Sequence, residues 1–382
     1  MSIEQDRSAR VQIRNLTGIR GIAALWVALY HFQATAVVVT LPLGPIVGGG
    51  AIGVDIFFVL SGFILALTYA PRFALRVSAF SLYYKFIARR FARIYPLHLA
   101  TFLLILLFWG VAVRAGYDFQ GAVQNDLLSA LCNLFMVHAW GLLRELGWNS
   151  PSWSVSAEWF AYLAVFPCCV LLLRHWSIGR VLGLSMALWV AFVAYVFVVH
   201  GGQLAEVNTD GALRIVPEFI GGYAVYRIVN DRPRRRRGLA LICAALAGLA
   251  TVLLMPAALP LLLPAVLLMM AGLYDGGRWV DSLFGNRVIV WLGEISYSIY
   301  MLHVFVLIAA NQLVRRLGLA PSTPHALLIL GSECAVAMAA GALGYYLLEC
   351  PARARLTRIL FSRRHDTVDT RVTATLRTGA VK

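Results

Sequence analysis

The sequence predicts an all-α polytopic membrane protein, with about ten transmembrane helices in one bundle and both termini cytoplasmic. Three observations carry that prediction. Of the 382 residues, 60% are hydrophobic and only 13% are charged, against about a quarter in soluble domains. Apolar stretches long enough to cross a hydrocarbon core of about 30 Å recur along the chain. The basic residues, which give a net charge of +15, are bunched between those stretches rather than spread evenly. In a membrane protein such bunching reports orientation, so the charge is not read as a nucleic-acid surface.

Taken in order, the apolar segments fall near residues 19–41, 52–71, 95–114, 153–173, 181–200, 213–230, 238–255, 257–274, 288–313 and 325–349. Segment 72–94 carries six Lys/Arg and no acid, 227–237 carries six Arg and one Asp, and the chain after Glu349 carries eight Lys/Arg. By contrast, 42–51 has no charge and 201–212 has two acids and no base. Ten crossings from a cytoplasmic N-terminus put every basic cluster inside except Arg315–Arg316, and put the uncharged and acidic loops outside. An eleventh candidate, 126–143, contains Asn133 and His138. If it crossed, all later clusters would invert, so it is expected to be an interfacial or re-entrant helix. The expected organisation is a cytoplasmic segment 1–18, a membrane domain 19–350 and a basic cytoplasmic tail 351–382. Ala34-Thr35-Ala36 resembles a cleavage site, but the apolar run before it is already long enough to span, so the first helix is expected to be retained. The six cysteines are scattered without a CxxC pair, which argues against a zinc site or a disulfide framework. No metal is expected.

Ionisable residues within spanning helices are costly and mark function. With a rise of 1.5 Å per residue, His31 lies about 18 Å and His303 about 22 Å from the inner face, and Glu158 about 8 Å below the outer face. Asp55, three residues past Ile52, is shallower. The four are therefore expected at similar depth, in one polar pocket. Each has a plainer reading: a lone intramembrane histidine often only bridges helices, and Asp55 follows a Gly-rich loop where an acid caps a helix. Ser152, Ser154, Ser156 and Glu158 fall within two turns. Ser61 lacks a G-x-S-x-G frame, so a serine hydrolase is not indicated. On the inner side, Lys85, Arg89, Arg90 and Arg93 form a basic group in which Arg90 and Arg93 share a helix face. Arginine forks suit phosphate oxygens; the plainer reading is contact with anionic lipid head groups.

The ordered set "RNLTGIRGIAALWVALYHF", "GVDIFFVLSGFIL", "RRFARIYPLH", "PSWSVSAEWFAYLAVFP", "RIVPEFIGGYAV", "WLGEISYSIYMLHV" and "YYLLECPARARL" resembles the acyltransferase 3 family of membrane proteins, which O-acylate bacterial surface and secreted glycans. The resemblance spans about residues 10–360. It implies a ten-helix domain using cytoplasmic acyl-CoA as donor substrate, with no tightly bound cofactor, in the bacterial inner membrane. It implies that His31 matches the first-helix catalytic histidine, that Arg90 and Arg93 match an R-x-x-R motif, and that Glu158 matches the acid of W-S-x-x-x-E. Two departures stand out: no hydrolase-like domain follows the tenth helix, and Thr17 stands where many relatives have Asp.

The expected chemistry follows. Arg90 and Arg93, with Arg89 and Lys85 nearby, hold acyl-CoA. His31 takes the proton of an acceptor hydroxyl, and Glu158 or Asp55 orients the imidazole, as an acid does in a serine triad. An acyl-histidine intermediate is the rival route. Ser154, Ser156, Trp153, His303 and Ser61 are candidates to line the pocket or stabilise the oxyanion. Acetyl is the expected acyl group, with succinyl as the alternative. The expected partners are a glycan acceptor such as exopolysaccharide or lipopolysaccharide O-antigen, anionic lipids, and polysaccharide biosynthesis or export machinery, with no nucleic acid. The competing readings are acylation of a small secondary metabolite, a transporter relaying protons through His and Glu, and a silent partner of an export complex.

Overall fold

The computed structural model describes residues 3–33, 44–73, 78–114, 126–204, 208–230, 237–318 and 323–361. The cleavage-like Ala34–Ala36, arginines 234–236 and the tail beyond 361 lie outside the described residues. Among those described there is no strand. In chain order the helices are α1 (Ile3–Phe32), α2 (Gly44–Gly48), α3 (Gly53–Phe73), α4 (Ala79–Arg114), α5 (Leu127–Leu134), α6 (Trp153–Phe160) and α7 (Phe166–Leu171). They continue as α8 (Ile178–His200), α9 (Gly211–Asn230), α10 (Gly238–Leu254), α11 (Leu262–Asp275), α12 (Arg278–Phe284), α13 (Arg287–Glu294), α14 (Ser296–Leu317), α15 (Thr323–Gly344) and α16 (Cys350–Phe361).

Seven stretches of the described residues are long and apolar enough to cross a membrane: 44–73, 79–111, 150–175, 178–200, 256–275, 296–317 and 325–361. The shorter apolar α10, and α1 and α9 with their internal charges, make a set compatible with the ten segments read from hydropathy, except that 34–41 of the first lies outside the described residues and 288–313 is broken at Ile295 between α13 and α14. The chain is a multi-pass membrane protein. Its outer helices expose leucine and valine, as at Val198, Leu246, Leu328 and Leu347, the surface expected against lipid tails.

At the centre, α3 packs along α9, α9 also against α8, and α1 against α3, α13 and α14. α9 is buried on nearly every face, which its mix of Gly, Arg, Glu and Pro hides from a hydropathy scan. The α3–α9 crossing is close because Gly62 and Gly222 stand at it. A Cβ on Gly62 would lie 2.1 Å from the Phe219 carbonyl oxygen, and one on Gly222 would lie 2.0 Å from the Val59 carbonyl oxygen. Small residues allow such backbone approach where no hydrophobic effect drives helices together.

The 126–143 segment does not cross. α5 is eight residues long, about 12 Å. It is capped by Asp126, which accepts from the Ser129 amide at 2.7 Å. The chain then doubles back through left-handed Met136 (φ 56°) and Gly141 (φ 77°). Ser156 pins this return, donating to the Met136 carbonyl at 2.8 Å and accepting from the Ala139 amide at 3.1 Å. A second anchor is formed by His98, which meets the Asn133 carbonyl at 2.7 Å, and His138, which meets Ser152 at 3.0 Å. His138 lies in the loop outside the spanning helices, and burial pushes its imidazole down to about 3, keeping it neutral.

Candidate active site

One polar cavity lies between α1, α3, α4, α6 and α14, with about 130 Å³ open to the centres of water molecules. That is room for several waters or a narrow chain. Three guanidiniums line it, Arg20 from α1 and Arg90 and Arg93 from α4. Arg93 pairs with Glu349 at 2.8 Å, and Ser298 donates to the other Glu349 oxygen at 2.8 Å. Arg90 lies over the Tyr69 ring, 5.5 Å from its centre, and donates to the Tyr69 hydroxyl at 3.3 Å. Arg20 is within electrostatic reach of Glu158 and Glu349.

Glu158 accepts from the Ser61 hydroxyl at 2.6 Å and from the Tyr162 hydroxyl at 2.7 Å. Both acids sit at breaks in helix geometry: Glu158 precedes a π-helical turn at Ala161–Val165, and Glu349 closes one at Tyr345–Glu349. A π turn inserts a residue and re-aims the side chains around it, and such turns recur at functional sites. Three lining cations against one lining acid, Glu158, with Glu349 behind Arg93, leave the cavity with an excess of positive charge.

At the other end of the cavity are Ser154 and Tyr300. Ser154 donates to the Tyr300 hydroxyl at 2.8 Å, which donates to the Pro151 carbonyl at 2.8 Å. One turn further along α14 is His303, fully buried, with its ring centre 5.8 Å from that of Tyr300. His303 Nε2 lies 3.2 Å from His31 Nδ1. The histidine pair thus forms a tier beyond the cavity, about 16 Å along α1 from Arg20.

The expected single level of His31, His303, Glu158 and Asp55 is corrected by this arrangement. Glu158 bonds Ser61, six residues or about 9 Å along α3 from Asp55, and faces the arginines. The depth estimate took Trp153 as the membrane surface, whereas Pro151 and Ser152 are already buried inside the protein. Neither acid orients His31. The oxygens of Glu158 are engaged as above, and Asp55 is held bidentate by Arg214, at 3.1 and 2.7 Å, with both side chains buried. Glu218, also buried, stands beside that pair. Trp153 lies under Arg214, 5.4 Å from its ring centre to the guanidinium carbon, and is outside the cavity lining, as is Ser156, which α6 turns toward the Met136–Ala139 return.

Arg89 is turned to the Phe361 ring at 5.3 Å, and neither it nor Lys85 lines the cavity. The residues brought together are therefore Ser61, Arg90, Arg93, Ser154 and Glu158, with His31 and His303 adjacent. Sequence reading passed over Arg20, Tyr162, Tyr300, Arg214 and Glu349. All five are polar groups inside apolar segments, the signal that singled out His31.

A family model described as an acyltransferase domain, Acyl_transf_3, matches residues 13–342. The chain is 29% identical over 380 residues to "Acyltransferase MdmB" of Streptomyces mycarofaciens, covering 91% of this chain and 93% of that protein. It is 28% identical to "Exopolysaccharide production protein ExoZ" of Rhizobium meliloti (strain 1021), covering 81% and 92%. To a Staphylococcus aureus (strain COL) protein named "Putative O-acetyltransferase" it is 21% identical, covering 77% of this chain and half of that longer protein. No solved structure matches. The match over most of its length, on an all-helical membrane fold with a buried polar cavity, shows that the chain belongs to the acyltransferase 3 family and is an acyltransferase of groups other than amino-acyl groups.

Proposed function

We propose that the protein transfers an acyl group, acetyl first among them, from acyl-CoA to a hydroxyl of a glycan, in the bacterial inner membrane. One observation carries this reading: a polar cavity runs from Arg20, Arg90 and Arg93 to Ser154 and Tyr300, and the histidine pair adjoins its far end. The basic clusters support an arginine end that faces the cytoplasm, where the phosphates of acyl-CoA would meet guanidinium forks. Ser61, Tyr162 and Arg93 hold Glu158 and Glu349. That leaves Arg90 and Arg20 as the cations with most left to offer an anion. The rest of the basic group, buried Lys85 and half-buried Arg89 against Phe361, stands outside the cavity and is not assigned to the donor.

The acceptor hydroxyl loses its proton to His31 as its oxygen attacks the thioester carbon. The C–S bond breaks, and the imidazolium returns the proton to the departing thiolate. The products are an ester and free CoA, with no net proton change. General-base assistance of this kind contributes typically 10²–10⁴-fold. Ser154 and Tyr300 carry the hydroxyls nearest the cavity's outer end, and either serves the developing oxyanion by turning its proton away from its present acceptor, Tyr300 Oη or the Pro151 carbonyl. The printed name of the Rhizobium relative, an exopolysaccharide production protein, supports a polysaccharide acceptor and a place beside polysaccharide machinery. The test is ester-linked acyl analysis of surface and secreted glycan from cells with and without the gene, complemented by wild type or His31→Ala. Acyl groups present with wild type and absent with both the deletion and the variant are expected. An identical glycan in all strains would contradict the proposal.

A further inference from the structure

The carboxylates that would ordinarily orient a catalytic imidazole are committed elsewhere, to Ser61 and Tyr162 in one case and to Arg214 in the other. The contacts of His31 are instead a carbonyl and a second histidine. Its Nδ1 lies 2.9 Å from the carbonyl of Val27, one turn back on its own helix, and 3.2 Å from His303 Nε2. His303 Nδ1 in turn faces the Tyr300 carbonyl.

A carbonyl oxygen can only accept, so a ring nitrogen against it must carry the hydrogen. That makes His303 an Nδ1–H tautomer, because the reverse would set two lone pairs against each other. Its Nε2 is then a bare acceptor. His31 Nδ1 faces two acceptors, the Val27 oxygen and His303 Nε2, so it also carries the hydrogen. Neutral imidazole has only one, and His31 Nε2 is left with a lone pair. Among the described residues no protein group hydrogen-bonds that nitrogen.

We propose that His303 is a positioning residue for His31, fixing it as the Nδ1–H tautomer and leaving Nε2 as the proton acceptor. The inference rests on the reading of His31 as the base. The second histidine does what an acid does in a serine triad: it holds the ring, and accepts more strongly from Nδ1–H once the ring is cationic. It does so without a buried negative charge, which a position in the hydrocarbon depth of the bundle penalises. The geometry also gives His303 a reason to be fully buried one turn beyond Tyr300. That seat locks the ring against its own helix and aims Nε2 across to α1.

The test is magic-angle-spinning ¹⁵N spectroscopy of histidine-labelled protein in bilayers, at a pH where the rings are neutral, combined with turnover. Of the eight histidines, the His31 resonances are those lost in His31→Ala. The wild type should show one His31 tautomer, with protonated Nδ1 and bare Nε2. His303→Phe should mix the tautomers and lower kcat about tenfold at unchanged acyl-CoA KM, because the Val27 carbonyl still holds part of the population. His303→Gln offers a side-chain oxygen near the Nε2 position and should keep the tautomer and most of kcat. It also serves if the Phe variant does not fold. An Nε2–H tautomer in wild type would overturn the proposal. So would full turnover in His303→Phe, or loss of the tautomer in a folded His303→Gln. The reading beneath it fails separately, if His31→Ala retains turnover whatever the spectrum shows.

Discussion

At the scale of single residues, Asp55 and Arg214 form a bidentate ion pair with both side chains buried, and no sequence pattern joins the two. They are 159 positions apart, and by sequence alone Asp55 reads as a catalytic acid or a helix cap. Arg214 pairs with Asp55 over the Trp153 ring, with Glu218 in electrostatic reach but making no hydrogen bond to it, so the cluster ties α3 and α9 to the start of α6. Removing one partner of such a buried pair typically costs about 3–5 kcal/mol, whereas replacing both by apolar groups is much milder. Arg214→Met is therefore expected to lower the thermal unfolding temperature in detergent more than Asp55→Asn does, because it leaves Asp55 a buried acid without its cation, whereas the amide oxygen of Asp55→Asn can still accept from the guanidinium. The double variant Asp55→Leu/Arg214→Met should recover a large part of the loss. Equal losses in all three would show that the pair carries no coupling. The Arg93–Glu349 pair behaves differently, because it borders a cavity open to water. Glu349→Gln should leave folding nearly intact and instead change acyl-CoA KM, measured by thiol release.

At the scale of elements, α3 and α9 touch through Gly62 and Gly222. Each faces the other helix's backbone, at 2.1 and 2.0 Å from a hypothetical Cβ, and neither neighbour is a flexible side-chain end. Gly222→Ala must force the helices apart, at a cost of about 1–3 kcal/mol or more. It would also stretch the Asp55–Arg214 contact two turns away. The expected result is reduced yield of folded protein and a lower unfolding temperature. Gly179→Ala, where a Cβ meets nothing within 4 Å, should be silent in the same assay. Hydropathy located both helices but could not distinguish these glycines from others, since what matters is the backbone across the interface. The π turns after Glu158 and at Glu349 were equally invisible, because their extra residue leaves no mark on composition.

At the scale of the whole molecule, the ten segments and the non-crossing 126–143 stretch were legible because bilayer thickness and charge asymmetry act on segments, which a linear reading captures. The tiers within the bundle were not. Ranking His31, Asp55 and Glu158 by distance from a helix start fails when the chain enters already buried, as at Pro151–Trp153. Orientation is testable directly. In a cysteine-free background, a cysteine at Phe80, which is 79% exposed, should react with a membrane-impermeant maleimide only in inside-out vesicles. A cysteine at exposed Ile46 should react only in right-side-out cells. The reverse pattern would turn the arginine end of the cavity away from cytoplasmic acyl-CoA.

The central claim is that His31 is the proton acceptor for acyl transfer beside an arginine-lined donor cavity. Its most direct measurement is acceptor-dependent release of CoA thiol from acetyl-CoA by membranes holding equal amounts of folded wild type or His31→Ala. The account predicts a loss of about 100-fold or more in the variant, with acetyl-CoA binding retained. Thiol release at the wild-type rate from folded His31→Ala would contradict it.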